Sequence, residues 1–311
     1  MQISPDDIKS GVKTSIARAI TLVENERQRV FPLLKKLYAE SEFSYLVGIT
    51  GPPGAGKSSL VEKMVTHWVE EEKVAVIAID PSSEFSGGAL LGDRIRMSSI
   101  SSHPNVFIRS MATRGYLGGL NPAIFDTVLI LSAAGYDRIV IETVGVGQNE
   151  IDVVNLADTT MVVTMPEVGD EIQAFKAGLM EAGDIFVLNK ADNPRSNRME
   201  LVLKQMLDLR GDEAENKFPL LNKTVATTGE GIPEVIKSIK KHREKLQESG
   251  EFYHKREKVI KKHILHLLEE KVRNELIDPM LKDKKFSSSL QEVIQKKNDP
   301  YSLVEELMSQ V

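Results

Sequence analysis

Gly51-Pro-Pro-Gly-Ala-Gly-Lys57-Ser58 fits the pattern G-x-x-x-x-G-K-[ST], and it stands between an apolar run, YLVGIT, and a stretch carrying Leu60, Val61 and Met64. A loop of this kind works only when a strand delivers it and a helix leaves it. Glycine lets the backbone curl until its N–H groups point at phosphate oxygens, and the helix that follows places its positive end on the same anion. Gly51, Pro52, Pro53, Gly54, Ala55, Gly56, Lys57, Ser58 and Ser59 are therefore the expected phosphate cradle. In it Lys57 reaches the β and γ phosphates, Ser58 ligates Mg²⁺ and Ser59 adds a phosphate hydrogen bond. The bland alternative is a glycine-rich turn with a chance lysine, which the strand–loop–helix context disfavours.

Apolar runs alternate with helical stretches on both sides of this loop. Strands are expected at Leu46–Thr50, Val74–Asp80, Val106–Arg109, Arg138–Glu142, Thr160–Met165, Ile185–Asn189 and Thr224–Ala226. Runs such as VAVIAI and RIVIE lack polar alternation, so they read as strands covered on both faces. The fold class is α/β: a doubly wound, mostly parallel sheet carrying this P-loop over 45–248, with helical extensions before and after it. Over 1–44, Ser4 before Pro5 reads as a helix cap. Ile8, Val12, Ile16, Ile20 and Val23 follow at helical spacing, and Pro32 is expected to divide the region into two helices. Over 249–311, KREKVIKKHILHLLEEKVRNEL is strongly helical. It reads either as a helix packed on its own domain or as an arm reaching a second subunit.

Lys and Arg total 40 against 45 Asp and Glu, which leaves no broad basic field for nucleic acid. The chain has no cysteine, so disulfides and thiolate metal sites are excluded. The amino terminus lacks a signal-peptide pattern, and no run approaches the roughly 18 apolar residues of a membrane span. A soluble, cytoplasmic protein without membrane partners is expected.

The base is chosen further along. Asn189-Lys190-Ala191-Asp192 closes the run FVLNKAD, at the carboxyl end of an expected strand. Asp192 can accept from the ring N–H and exocyclic amine of guanine. Adenine offers neither donor, and the mismatch is costly. Asn189 is expected to brace neighbouring loops, and the Lys190 stem to cover one face of the base. Between the two motifs, Glu142 ends a buried strand and opens E-x-x-G with Gly145. Glu142 can hold Mg²⁺ through its water shell, and the Gly145 N–H can contact the γ phosphate. Lys57 and Glu142 are the expected catalytic pair. Gln148, in VGVGQ, can orient water, though it is displaced from the position after that glycine. Asp80 and Asp93 are further magnesium candidates, the first competing with a turn role and the second with a helix N-cap. Arg94, Arg96, Arg109 and Arg114 receive no catalytic role. His263 and His266 share a helix face without a metal-ligand pattern.

GPPGAGKSSL, AIDPSSEFSGGALLGDRIRM, FIRSMATRGYLGGL, IETVGVGQNE and VLNKAD, in that order, resemble the MeaB/ArgK-like P-loop GTPases, the methylmalonyl-CoA mutase-associated group. The resemblance implies a homodimer that binds GTP and GDP with Mg²⁺. It also implies a partner, an adenosylcobalamin-dependent acyl-CoA mutase whose cofactor loading and protection the GTPase assists. It places the metal site on Ser58, Asp80, Asp93 and Glu142, and a partner-responsive switch on MPEVGDEIQAFK with Asp170 and Lys176. The base-edge loop falls on Val225, Ala226 and Thr227, where valine replaces the usual serine and the Ala226 N–H is expected to meet the guanine oxygen. A kinase acting on a protein or transport component is the alternative within this resemblance, but no acceptor motif is apparent. A nickel-insertion GTPase usually brings Cys and His ligands, and this chain has no cysteine.

Overall fold

The computed structural model describes residues 3–80, 97–112, 122–143, 155–166, 183–208 and 220–309. Seven strands form one sheet: β1 (Tyr45–Thr50), β2 (Val74–Asp80), β3 (Val106–Ala112), β4 (Arg138–Thr143), β5 (Thr159–Thr164), β6 (Ile185–Leu188) and β7 (Leu220–Lys223). Their order is β3-β2-β4-β1-β5-β6-β7, and each of the six pairings is parallel. Every residue of β1, β4 and β5 is buried, which is why these strands show no polar alternation. β4 lies between β1 and β2, with Ile49 opposite Glu142 and Ile79 opposite Thr143. The carboxyl ends of β1, β4 and β5 thus converge at the point where the winding reverses, the place at which open α/β sheets bind ligands.

Helix α4 (Lys57–Trp68) leaves β1 and buries Leu60, Val61, Met64 and Val65. These join Val47, Ile49, Val76, Val140, Met161 and Val187 in one core, together with Ile232, Val235 and Ile239 of α8 (Ile232–Ser249). Leu60 and Met64 are fully buried, so truncating either to alanine is expected to cost about 2–5 kcal/mol.

At the amino end, Ser4 caps α1 (Pro5–Lys9), its hydroxyl accepting from the Asp6 N–H at 3.2 Å. Two longer helices follow, α2 (Lys13–Asn25) and α3 (Arg27–Glu40), and both pack on α6 (Pro122–Ala133). The single helical stripe expected from Ile8 to Val23 is interrupted. Val12 caps α2 and is 41% exposed, while Ile8, Ile16, Ile20 and Val23 are buried. Pro32 lies inside α3, and the division falls instead at Glu26, whose φ of −143° leaves the helical region. A short helix, α5 (Ser98–Ser101), and α7 (Ser196–Asp208) complete the layers described around the sheet. The seventh strand was expected at Thr224–Ala226 but runs four residues earlier. Leu220–Lys223 is a half-exposed edge strand ending in polar residues, a weak signal of strand.

Opposite the carboxyl ends of the strands, polar groups are strung along the strand starts. The Tyr45 hydroxyl meets Thr159 Oγ1, which lies 2.7 Å from His242 Nδ1. His242 Nε2 stands 3.4 Å from Asp184, which accepts from the Thr160 N–H at 2.8 Å and from Lys255 at 3.4 Å. Burial pushes the His242 imidazole down to about 4, so it is neutral in the fold.

The chain divides into two compact units, Met1–Lys255 and Arg256–Val311. The second is helical among its described residues. It comprises most of α9 (Glu251–Val272), a π turn at Arg273–Ile277, α10 (Asp278–Lys282), α11 (Lys284–Ile294) and α12 (Pro300–Met308). Asp283 and Asp299 cap α11 and α12 through backbone N–H groups at 2.9 Å. Ile264, Leu265 and Leu268 are each about half exposed along α9. Among the described residues no helix is long and apolar enough to cross a membrane.

Candidate functional site

The phosphate loop begins where β1 ends. Gly51 has a φ of +140°, and a Cβ there would collide with the Val163 carbonyl of β5. Gly56 has a φ of +87° and caps α4 without a side chain, and a Cβ would strike the Asn189 amide. Each of these two positions therefore needs glycine for conformation and for space. The bare cap leaves the first N–H groups of α4 directed at an incoming anion. Lys57 is 6% exposed, and its ammonium donates to the carbonyls of Gly51 at 2.7 Å and Pro52 at 3.0 Å. These bonds hold a buried charge over the loop.

One residue into α4, Ser58 Oγ donates to Glu142 Oε1 at 2.6 Å. Glu142 is 5% exposed at the end of β4. The sheet thus brings the expected serine and acid together although 84 positions separate them. A hydroxyl and a carboxylate are hard oxygen donors, the set a magnesium ion prefers. Among the described residues no group of three or more His, Asp or Glu side chains forms a metal cluster, so phosphate oxygens and waters would have to complete any coordination. Asp80 ends β2 beside Ala112, and its side chain is not described. Asp93, Gly145, Gln148, Asp170 and Lys176 lie outside the described residues, as do Arg94, Arg96 and Arg114. Arg109 is paired with Glu24 and Thr21 of α2.

The base-edge elements meet through Asn189, which is 2% exposed. Its Nδ2 donates to the Ala55 carbonyl of the phosphate loop at 2.8 Å. Its Oδ1 accepts from Thr224 Oγ1 at 3.1 Å and from the Ala226 N–H at 3.0 Å. One side chain therefore ties three loops together, as expected for a brace. The Ala226 amide, expected to face the guanine oxygen, is engaged with Asn189, and a base oxygen would have to share that N–H. Val225 is held by Glu230, its N–H bonded to that carbonyl at 3.0 Å, and Thr227 follows in the same turn. Lys190 has a φ of +57°, an uncommon conformation for a residue with a side chain. It and Asp192 are exposed.

Two partners were not anticipated from sequence. Thr143 follows Glu142, and its Oγ1 donates to Thr50 Oγ1 at 3.2 Å and the Ile49 carbonyl at 3.4 Å. Both threonines are buried at strand ends. Thr143 lies within IETVGVGQNE, but nothing in that run announces Thr50 as its partner, because the signal lies in a pairing between distant strands.

A family model described as methylmalonyl-CoA mutase-associated GTPase MeaB matches residues 16–280. A Pyrococcus abyssi relative described as a GTPase is 45% identical over 307 residues, covering 98% of this chain and 94% of its own. A Mus musculus protein named methylmalonic aciduria type A homolog, mitochondrial, is 35% identical over 282 residues, covering 84% of this chain and 68% of its own. The crystal structure of LAO/AO transport system kinase aligns over 98% of this chain and 95% of that one, with a TM-score of 0.68 and 24% identity. At that identity the likeness speaks for the fold alone.

Proposed function

The chain belongs to the methylmalonyl-CoA mutase-associated GTPase family MeaB and is a P-loop GTPase, and from that premise we propose that Mg²⁺ serves its hydrolysis and that its nucleotide state governs binding to an adenosylcobalamin-dependent acyl-CoA mutase. In this reading it assists the loading and protection of that mutase, as a homodimer in the cytoplasm. The observation that carries it is the meeting of the phosphate loop, Glu142 and the Asn189 brace at one edge of the sheet.

Each part of the site has a physical task. The N–H groups at the start of α4 and the Lys57 ammonium take up phosphate charge, and Lys57 exchanges two carbonyl acceptors for phosphate oxygens. Asp192 selects guanine, and Asn189 holds the base loop against Ala55. Ser58 and Glu142 fit a magnesium ion, with Asp80 and Asp93 proposed beside them. When bound, Mg²⁺ offsets the charge that builds up on the β and γ phosphate oxygens. The segments after β4 and β5 leave from this same edge, so a partner that binds one arrangement of them must alter nucleotide affinity in return. Gln148, Asp170 and Lys176 are proposed to act there.

The test is phosphate release and complex formation with candidate mutases from the same host, in GTP analogue, in GDP and without nucleotide. Slow intrinsic hydrolysis that rises with one mutase, together with nucleotide-dependent binding, is expected. If no mutase binds or changes hydrolysis, the partner reading is overturned and the GTPase assignment stands.

A further inference from the structure

Successive residues of a strand point to opposite faces. Glu142 and Thr143 close β4 in that way, and each finds an end of the phosphate loop. Glu142 receives Ser58 Oγ at 2.6 Å, just after the loop. Thr143 Oγ1 donates to Thr50 Oγ1 at 3.2 Å and to the Ile49 carbonyl at 3.4 Å, just before it. Residues 51–57 are therefore bracketed by two side chains adjacent on one strand.

The threonine bonds begin where backbone pairing stops. The β1–β4 ladder ends with Ile49 opposite Glu142, whereas β4 still has Thr143 opposite Ile79 of β2. On the β1 side the Thr143 hydroxyl continues the connection that the ladder gives up. Thr50 is fully buried and Thr143 is 2% exposed, so water does not compete for this pair. A carboxylate at a strand end can pivot with its backbone, and displacement on the order of 1 Å is enough to spoil a metal or catalytic geometry.

We propose that Thr143 is a positioning residue: through Thr50 it fixes the end of β4 so that Glu142 faces Ser58. The inference rests on the reading of Ser58 and Glu142 as magnesium ligands. The role is that of a hydroxyl, so serine retains it and valine, nearly the same shape, does not.

The experiment uses the full chain with Thr143→Val, Thr143→Ser, Thr50→Val and the double valine variant, with Glu142→Gln in parallel. Two quantities are read: the Mg²⁺ concentration that half-maximally slows release of a fluorescent GDP, and kcat and KM for GTP. Thr143→Val is expected to raise the Mg²⁺ midpoint and lower kcat by about three- to tenfold, the effect of one buried hydrogen bond. KM and GDP affinity in EDTA should stay within about twofold, because the base and phosphate contacts are untouched. Thr143→Ser should restore both readings. Thr50→Val should shift both readings in the same direction but by less, because Thr143 keeps the Ile49 carbonyl, and the double variant should be no worse than Thr143→Val, since the Thr50–Thr143 contact cannot be lost twice. The proposal is overturned if valine at 143 changes neither reading, if serine is as impaired as valine, or if the two valine effects add in full. Should Thr143→Val not fold, Thr50→Val against Thr143→Ser decides the same question. A Glu142→Gln variant with an unchanged Mg²⁺ midpoint sinks the metal assignment itself. A shifted Glu142→Gln beside a normal Thr143→Val sinks only the positioning role.

Discussion

Ser58 Oγ donates to Glu142 Oε1 across 2.6 Å, tying the first turn of α4 to the end of β4. If phosphates bind at the start of α4, as proposed, a carboxylate held there would be repelled by them unless a cation intervened. Replacing Glu142 by alanine is therefore expected to have opposite effects with and without the ion. With Mg²⁺, hydrolysis should need at least about tenfold more metal. In EDTA, GDP should bind as well as before or more tightly. Calorimetry and phosphate release across a Mg²⁺ series check this, and full turnover at limiting Mg²⁺ would refute the assignment.

Asn189 and Asp192 sit in one motif but should fail in different ways. Truncating Asn189 strands the Ala226 N–H, Thr224 Oγ1 and the Ala55 carbonyl in a buried setting, at about 1–3 kcal/mol for each group left unpaired. Asn189→Ala should lower the melting temperature and weaken every guanine nucleotide. Asp192 is exposed, so Asp192→Asn should leave the melting temperature alone. It should cost GDP affinity by about a hundredfold and favour XDP, because the side chain now offers a donor. Titration with GDP, XDP and ADP separates these outcomes. Equal GDP and ADP affinity in the native chain would overturn the base assignment.

His242 makes stability depend on pH. Its folded value of about 4 lies below its ordinary 6.5, chiefly through burial. The unfolded chain thus binds the extra proton first as pH falls, so stability is fully present above about 6.5 and drains away towards 4. At pH 5 the loss is about 2 kcal/mol. Thermal melts at pH 7 and pH 5 should show a lower midpoint at pH 5, and His242→Gln should shrink that difference. An unchanged pH dependence in the variant would show that other groups control it.

Removing the unit that begins at Arg256 should give a monomer that still binds GDP. Phe252 packs on the sheet core and Lys255 bonds to Asp184 and the Asp158 carbonyl, so a cut after Lys255 keeps these anchors. The discarded unit carries the half-exposed Ile264, Leu265 and Leu268, apolar surface of a kind that oligomers bury. Light scattering on both chains measures the change. A soluble truncated chain that remains dimeric would refute the arm.

Much of this was legible because it is local. VAVIAI and RIVIE are strands for the reason they look like strands, being covered on both faces. The phosphate loop and the Asn189 motif carry their chemistry in consecutive residues. The misplacements have equally specific causes. Pro32 stays inside α3, while Glu26 breaks the helix by a backbone dihedral that no residue type announces. Leu220–Lys223 is too short and too exposed to show a period. The Thr50–Thr143 pair and the line from Tyr45 to His242 depend on which strands become neighbours. Hydrophobic periodicity does not contain that information.

The insertion of β4 between β1 and β2 has a consequence for synthesis on the ribosome. When the phosphate loop emerges, β1 has neither of its neighbours, because Tyr45 must wait for Arg138 and Val47 for Thr159. At ~5–20 residues per second the delay is on the order of ten seconds. Throughout it an apolar strand stands with both edges open, which invites pairing with other chains. The loop cannot yet meet Asn189 either, which follows β6, so tight nucleotide capture would report that the central sheet is complete. GTP in the cell would then act on the newborn chain as a folding ligand before it ever serves as a substrate.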